Sequence, residues 1–331
     1  MNTIQVVTSN NTIWHKEHIL LDIAIAMTQH DEIVIDLLSE GPCCAELGLY
    51  DILLECADKT NYDLTRLTIH TANKLEYNPS LQIIYHPPIH LQMHAINEVN
   101  DNIVAKTITH HFGSFIGRSN GARLMLNAYL NYYHEEKAIQ SYRYDCIDSY
   151  YMEHIGIEEI INNYCMLDVD IELAFLKKCP LLLDNHTSVV HDATSDLNLS
   201  QQLNIDNKIT GYYDNFLIEL VCETYYSGNT FFPTEKIWRP MLLKTPFVVQ
   251  GPQNYLLNLQ KLGFRTFSDW WDEGYDEDHE YGKMGSIKQN ISWIANHPLN
   301  TLEKWYEEMQ EVLEHNCALV KQLTPSAFYN G

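Results

Sequence analysis

The sequence is short of positive charge. Of its 331 residues, 21 are Lys or Arg and 44 are Asp or Glu, a formal net charge of −23. So acidic a surface repels phosphate backbones and anionic lipid, which sets duplex nucleic acid and membrane surfaces aside as partners. One local basic pocket remains compatible with it. No apolar run approaches the ~20 residues of a membrane span; the most apolar early stretch, residues 19–27, is short and holds Asp22. Nor does a basic segment precede an apolar one at Met1-Asn2-Thr3-Ile4-Gln5, so no secretory signal is expected. The eight cysteines show no Cys-x-x-Cys pair and no Cys/His ligand spacing. Reduced thiols in a cytoplasmic protein are therefore expected rather than a disulfide framework or a zinc site.

Several catalytic signatures are missing too. There is no Gly-x-Gly-x-x-Gly, and no acidic residue after a following strand to hold a dinucleotide ribose, so a dehydrogenase fits poorly. A P-loop kinase fits poorly for want of Gly-x4-Gly-Lys-Ser/Thr. The 16 histidines include no His-Glu-x-x-His, and His110-His111 reads as structural. Asp168-Val169-Asp170 has the Asp-x-Asp form that metal-dependent sugar transferases use to hold a cation against a diphosphate. It precedes an apolar helical stretch, residues 171–177, where capping and the helix dipole account for both aspartates, so no metal site is expected.

What is present suits two α/β units. The apolar content of 45% and aromatic content of 11% supply two cores at this length. Apolar runs at 4–8, 33–38, 67–71 and 81–85 read as strands, alternating with helices at 16–27 and 45–57. A second unit starts near residue 103. It has strands at 103–109 and 112–116 and a helix at 123–133, and then a region, 140–210, that is hard to read. A continuous apolar run at 216–222 reads as a strand buried on both faces. A helix from Glu235, a strand at 247–250, a helix at 254–262, a strand at 265–267 and an amphipathic helix over 301–323 follow. The expectation is an α/β protein with two Rossmann-like domains facing across a cleft and a long C-terminal helix. Residues 1–100 would form the acceptor side, 101–300 the nucleotide-sugar side, and 301–331 a helix packing back across both. In open parallel sheets ligands sit beyond the carboxyl ends of the strands, so both sets of ends would line the cleft.

The strongest local anomaly is Phe232-Pro233-Thr234-Glu235-Lys236. Thr234 is a good N-cap, yet Lys236 then falls in the first turn, where the helix dipole disfavours a cation. Pro240 sits in the same helix and removes the bond from its own position to the carbonyl of Lys236. Two broken rules in one helix mark a functional position. A diphosphate resolves the first conflict, because free amides and an ammonium together hold it. Glu235 could accept hydrogen bonds from ribose hydroxyls. Glu223, at the carboxyl tip of the strand, is expected to face the cleft. The loop after it offers aromatic faces in Tyr225 and Tyr226 and amide contacts in Asn229. Arg118 and Arg123, in a strand–glycine turn–helix stretch, are a second basic feature suited to a diphosphate. Glu40, after the second strand in Ser39-Glu40-Gly41-Pro42, is the better placed of two candidate bases, the other being Asp36.

The blocks Glu219–Glu223, Thr234–Arg239 and Pro246–Pro252 resemble the donor-binding signature of family-10 α1,3-fucosyltransferases, mainly over residues 216–252. In that family a strand ends in Phe-Glu-Asn, and a loop leads to Thr-Glu-Lys, a helix and a strand reaching Val-Pro. The resemblance implies that Glu235 binds the nucleotide ribose, and that Lys236 and Arg123 (or Arg118) bind the pyrophosphate. Glu223 would hold the donor pocket, and a glutamate of the acceptor domain, matched by location in Glu40, would act as base. Here Thr224 stands where the family has Asn, and Trp270-Trp271-Asp272-Glu273-Gly274-Tyr275-Asp276 has no counterpart. The function expected is inverting, metal-independent transfer of a sugar from a nucleotide-sugar co-substrate, GDP-fucose favoured, to a glycan or other hydroxyl acceptor. The alternatives are an exostosin-like transferase using a UDP-sugar, or a non-catalytic nucleotide- or carbohydrate-binding protein of the same fold.

Overall fold

The computed structural model of the chain describes residues 2–9, 12–13, 15–38, 41–87, 106–117, 119–142, 168–181, 183 and 211–322. They form an α/β structure built on two four-stranded parallel sheets.

The first sheet holds β1 (Asn2–Gln5), β4 (Ile33–Leu37), β5 (Leu67–Thr71) and β6 (Gln82–Tyr85) in that spatial order; β2 (Thr8–Ser9) and β3 (Thr12–Ile13) make a small hairpin after β1. Each strand lies beside its predecessor in the sheet. Right-handed crossovers taken always in one direction put their helices on one face. Accordingly α1 (Lys16–Gln29) and α2 (Leu49–Thr60) share a single core with Ile33, Ile35, Leu37, Leu67 and Ile69. In α2 the buried residues Leu49, Ile52, Leu53, Cys56 and Ala57 follow helical spacing. This helix starts later than the expected residue 45 because Gly48 at its head is left-handed, φ 66°. On the opposite face Asp36 and His70, direct neighbours in register, are half-buried, as is Thr68, while Gln82 and Ile84 are exposed.

The second sheet runs β10 (Phe247–Gln250), β9 (Phe216–Cys222), β7 (His110–Ile116), β8 (Ala138–Tyr142). From β7 the chain goes outward to β8 through α3 (Gly121–His134), and then returns to the other side of β7 to place β9 and β10. The order therefore reverses between β7 and β9. The opposed crossovers put α3 and α5 (Glu235–Leu242) on opposite faces. α4 (Val169–Leu176) and α7 (Glu280–Ala295) pack on α3, and α9 (Gln310–Gln322) packs on α5. All seven residues of β9 are buried, as befits a strand covered on both sides. α6 (Tyr255–Lys261) follows β10, with its first turn held by Asp276, whose carboxylate accepts from Leu256 N and Leu257 N at 3.0 Å each.

Three expectations are corrected. Residues 265–267 belong to no strand; Phe267 is buried against Phe247 and Trp271, and its carbonyl accepts from Trp270 N at 3.0 Å in a turn and not from a neighbouring strand. The long C-terminal helix is two helices, α8 (Leu299–Glu308) and α9, meeting at the buried Met309. Leu302, Met309, Leu313 and Val320 belong to the core of the second sheet, so among the described residues these helices pack with that unit, and the expected segment from 323 on lies outside them.

Among the described residues no helix is long and apolar enough to cross a membrane.

Candidate functional site

The reversal between β7 and β9 opens a crevice at their carboxyl ends, where ligands of doubly wound sheets sit. The sequence places its anomalous residues there. After β7 the chain turns into α3, where Asn120 Oδ1 caps the helix by accepting from Arg123 N at 2.9 Å. The buried Arg123 reaches across the crevice, and its Nη2 donates to the carbonyl of Glu223 at 2.8 Å. Arg118 lies outside the described residues, as does Glu40.

Glu223 is the organising group. The expectation of a cleft-facing carboxylate is corrected: the residue is 3% exposed and its oxygens are occupied from inside. Oε1 accepts from Tyr255 OH at 2.6 Å and Thr234 N at 3.3 Å, and Oε2 accepts from Thr234 Oγ1 at 2.7 Å and Thr224 N at 3.3 Å. A buried carboxylate is tolerated when its lone pairs are filled this way. Its effect is to fix Thr234, which is itself buried and caps α5 by accepting from Lys236 N at 3.3 Å.

Lys236 folds back over the helix start. Its Nζ lies 3.1 Å from Thr234 Oγ1, 3.4 Å from Thr224 Oγ1 and 3.0 Å from Glu235 Oε1. The cation disfavoured by the dipole is thus met within its own turn by an anion that the dipole favours. Burial raises the pKa of Glu235, but the Lys236 ammonium, with help from Arg239, outweighs it and holds the carboxyl down at about 2. The two side chains are partly exposed and side by side at a helix N-terminus. Phosphate oxygens and hydroxyl hydrogens are what such a pair can hold. Pro240 falls in the last turn of this short helix, and past it Leu243 N still reaches Arg239 O at 3.0 Å.

Beneath the helix start lies a buried ionic cluster that the sequence reading passed over. Arg239 donates from Nη2 to Glu219 Oε1 at 2.5 Å and from Nε to Tyr213 OH, and Tyr213 OH donates to Glu219 Oε2 at 2.5 Å. Arg239 also lies over the Phe115 ring, 5.7 Å from its centroid. The signal was present: Glu219 interrupts an apolar run, and a carboxylate inside a buried strand requires a buried cation.

The loop leading to Thr234 is held from the other sheet. Asn73, fully buried beyond the end of β5, donates from Nδ2 to Asn229 O at 3.1 Å and Pro42 O at 3.3 Å, and its Oδ1 accepts from Phe231 N at 2.9 Å. Thr230 Oγ1 donates to Gly41 O, and Lys74 N donates to Phe231 O at 3.3 Å. Gly41 is obligatory, because a Cβ there would come within 2.8 Å of the Phe232 side chain. Tyr225 packs with Ala72 and Phe232 in a small buried cluster, so its ring is spent on this junction.

Other sequence candidates find structural places. Asp168 and Asp170 are exposed at the head of α4, and Asp168 makes no side-chain capping bond. Among the described residues no group of three His, Cys, Asp or Glu is arranged to hold a metal ion. Trp271 stacks in the core on Phe267 at 5.2 Å, and Trp270 Nε1 donates to Glu308 Oε2 at 3.1 Å. His111 is tied by Nε2 to His297 O at 2.8 Å. Cys43, Cys44, Cys56 and Cys222 are free thiols, and burial pushes the Cys222 thiol up to about 12.

Comparison with known proteins finds no matching family model, and no curated protein and no solved structure matches the chain.

Proposed function

We propose that the chain transfers a sugar from a nucleotide-sugar donor to an acceptor hydroxyl, with inversion at the anomeric carbon. One observation carries this reading. The start of α5, with Thr234, Glu235 and Lys236, stands at the crevice where the sheet order reverses, with Arg123 on the facing turn. Glu235 accepts from the ribose hydroxyls. Lys236 and Arg123 meet the charge that develops on the leaving diphosphate, the task a metal performs in other transferases. GDP-fucose is the donor to test first, on the strength of the Thr-Glu-Lys resemblance.

Asn73, just past β5, bonds the 229–231 backbone of the loop that follows β9, and on this reading the two units form a cleft-centred architecture of the GT-B kind in a cytoplasmic enzyme. Glu40, from the first unit, takes the acceptor proton; the acceptor oxygen bonds to the anomeric carbon, and the bond from that carbon to the phosphate oxygen breaks.

The test is thermal stabilisation by GDP, UDP, ADP, NAD and their sugar conjugates. A nucleoside diphosphate at about 100 times its Kd stabilises by about 2.7 kcal/mol, and Lys236→Met abolishes most of that. Stabilisation by NAD and by no nucleoside diphosphate overturns the proposal. Glu40→Gln leaves donor binding intact and lowers turnover by about 100-fold or more; donor consumption unchanged in Glu40→Gln removes Glu40 as the base.

A further inference from the structure

A polar cavity of about 240 Å³ lies beyond the carboxyl ends of β9 and β10. Its wall comes from four places: the 226–229 loop, Gln253 and Asn254 after β10, the segment from Asp278 to Lys283 leading into α7, and Glu46 of the first unit. Lys283 of α7 lines it and is 1% exposed, with Nζ donating to Gly251 O at 3.0 Å and Pro252 O at 2.7 Å. An ammonium has three N–H donors, so two carbonyls leave one for a ligand oxygen. Asp278, held by Ser286 Oγ at 2.6 Å, and Glu46 supply carboxylate oxygens, which only accept. Asn229 and Tyr226 line the same space.

From this lining we infer that the cavity holds the sugar ring of the donor, a neutral polyol, with Glu46, Asp278 and Lys283 setting which hydroxyls are accepted. The inference rests on the transferase reading above. Three arguments support it. A hydroxyl both donates and accepts, so it satisfies carboxylates and an ammonium at once, whereas an anion would meet two carboxylates for one cation. The volume is just under the ~300 Å³ at which pockets for drug-sized ligands begin, a size that suits one sugar ring. The 226–229 loop that lines the cavity belongs to the same connection that ends in Thr234, which ties the cavity to the helix start through the chain.

Gly228 sharpens the argument. It is left-handed at φ 90°, and a Cβ there would lie 2.5 Å from Glu46 Oε2. The positive φ favours glycine here, and its missing Cβ leaves the carboxylate of the first unit room over the loop. Burial lowers the pKa of Lys283 to about 8, with Asp276 and Asp278 opposing the fall. The ammonium is therefore present at neutral pH and is lost as pH rises through about 8, which adds a pH signature to the geometric one.

The experiment is calorimetric titration of the full chain with GDP-fucose, GDP-mannose and UDP-galactose, each beside its bare diphosphate. In the parent chain one conjugate binds at least about tenfold more tightly than its diphosphate, a gain of one or two good hydrogen bonds. Glu46→Gln, Asp278→Asn and Lys283→Met each remove most of that advantage while the bare diphosphate keeps its affinity within about twofold. The exposed Glu46 makes the first variant the safeguard against loss of folding. In the parent chain the advantage also fades as pH rises through about 8, and in Lys283→Met it does not depend on pH there. Equal weakening of the bare diphosphate by these variants would place the nucleotide in the cavity and overturn the inference. An unchanged sugar advantage in all three overturns it too, and leaves the transferase reading standing. If no diphosphate binds at all, the transferase reading fails and takes this one with it.

Discussion

The two sheets have the same number of strands and the same parallel sense, yet they are different objects. In the first, strands succeed one another in a single direction, helices cover one face, and burial alternates along β5. In the second, the order reverses at β7, both faces are covered, and β9 is buried from end to end. Only a reversal makes a crevice between neighbouring strand ends, and only a doubly covered strand needs charges such as Glu219 to be neutralised internally. The candidate binding residues gather at the second sheet for the first reason, and their support, Arg239 and Tyr213, lies beneath them for the second.

Breaking the buried cluster should show the largest difference. Arg239→Met leaves Glu219 without its cation in a strand with no solvent, and should cost about 3–5 kcal/mol. Arg239→Met with Glu219→Leu should restore most of that, as measured by urea unfolding. A cost below about 1 kcal/mol for the single variant would show that water reaches β9.

Truncation compares the sheets directly. Ile218→Ala in the fully buried β9 should cost about 2–5 kcal/mol, whereas Ile84→Ala, 37% exposed on β6, should cost under about 1 kcal/mol. Similar losses at both positions would mean that the open face of the first sheet is covered in solution.

A smaller effect separates the units by pH. Burial pushes Glu273 of the second unit up to about 7. The folded state holds that proton between the usual carboxylate range and pH 7, while the unfolded chain releases it. Stability from this group is thus full at low pH and is lost as pH rises through about 7. Glu273→Gln should flatten the fall in melting temperature between pH 5 and 8; an unchanged slope would assign the fall elsewhere.

The sequence made the regular parts of both sheets legible. The runs at 67–71, 216–222 and 247–250 coincide with strands, because consecutive β-branched and aromatic residues bury well in parallel sheets. It left out α7, whose buried Met284, Ile287, Ile291 and Ile294 follow helical spacing but are interrupted by Gly282 and Gly285. With that helix went Lys283 and half of the polar cavity. Strand order was beyond it, since periodicity reports a strand's faces and not its neighbours. Glu223 was placed correctly at a strand tip but given the wrong direction, because the hydroxyls of Tyr255 and Thr234 that fill its lone pairs come from 32 and 11 residues away.

Asn73 has a bearing on modularity. Its amide belongs to the first unit by chain and to the second by hydrogen bonding, since it closes on Asn229 and Phe231 just ahead of the Thr234 cap. A fragment containing residues 106–322 alone would keep its own sheet and core and lose the mould that shapes its loop. The two units are therefore poor candidates for exchange with foreign partners, because the loop that leads to the Thr234 cap is shaped by both.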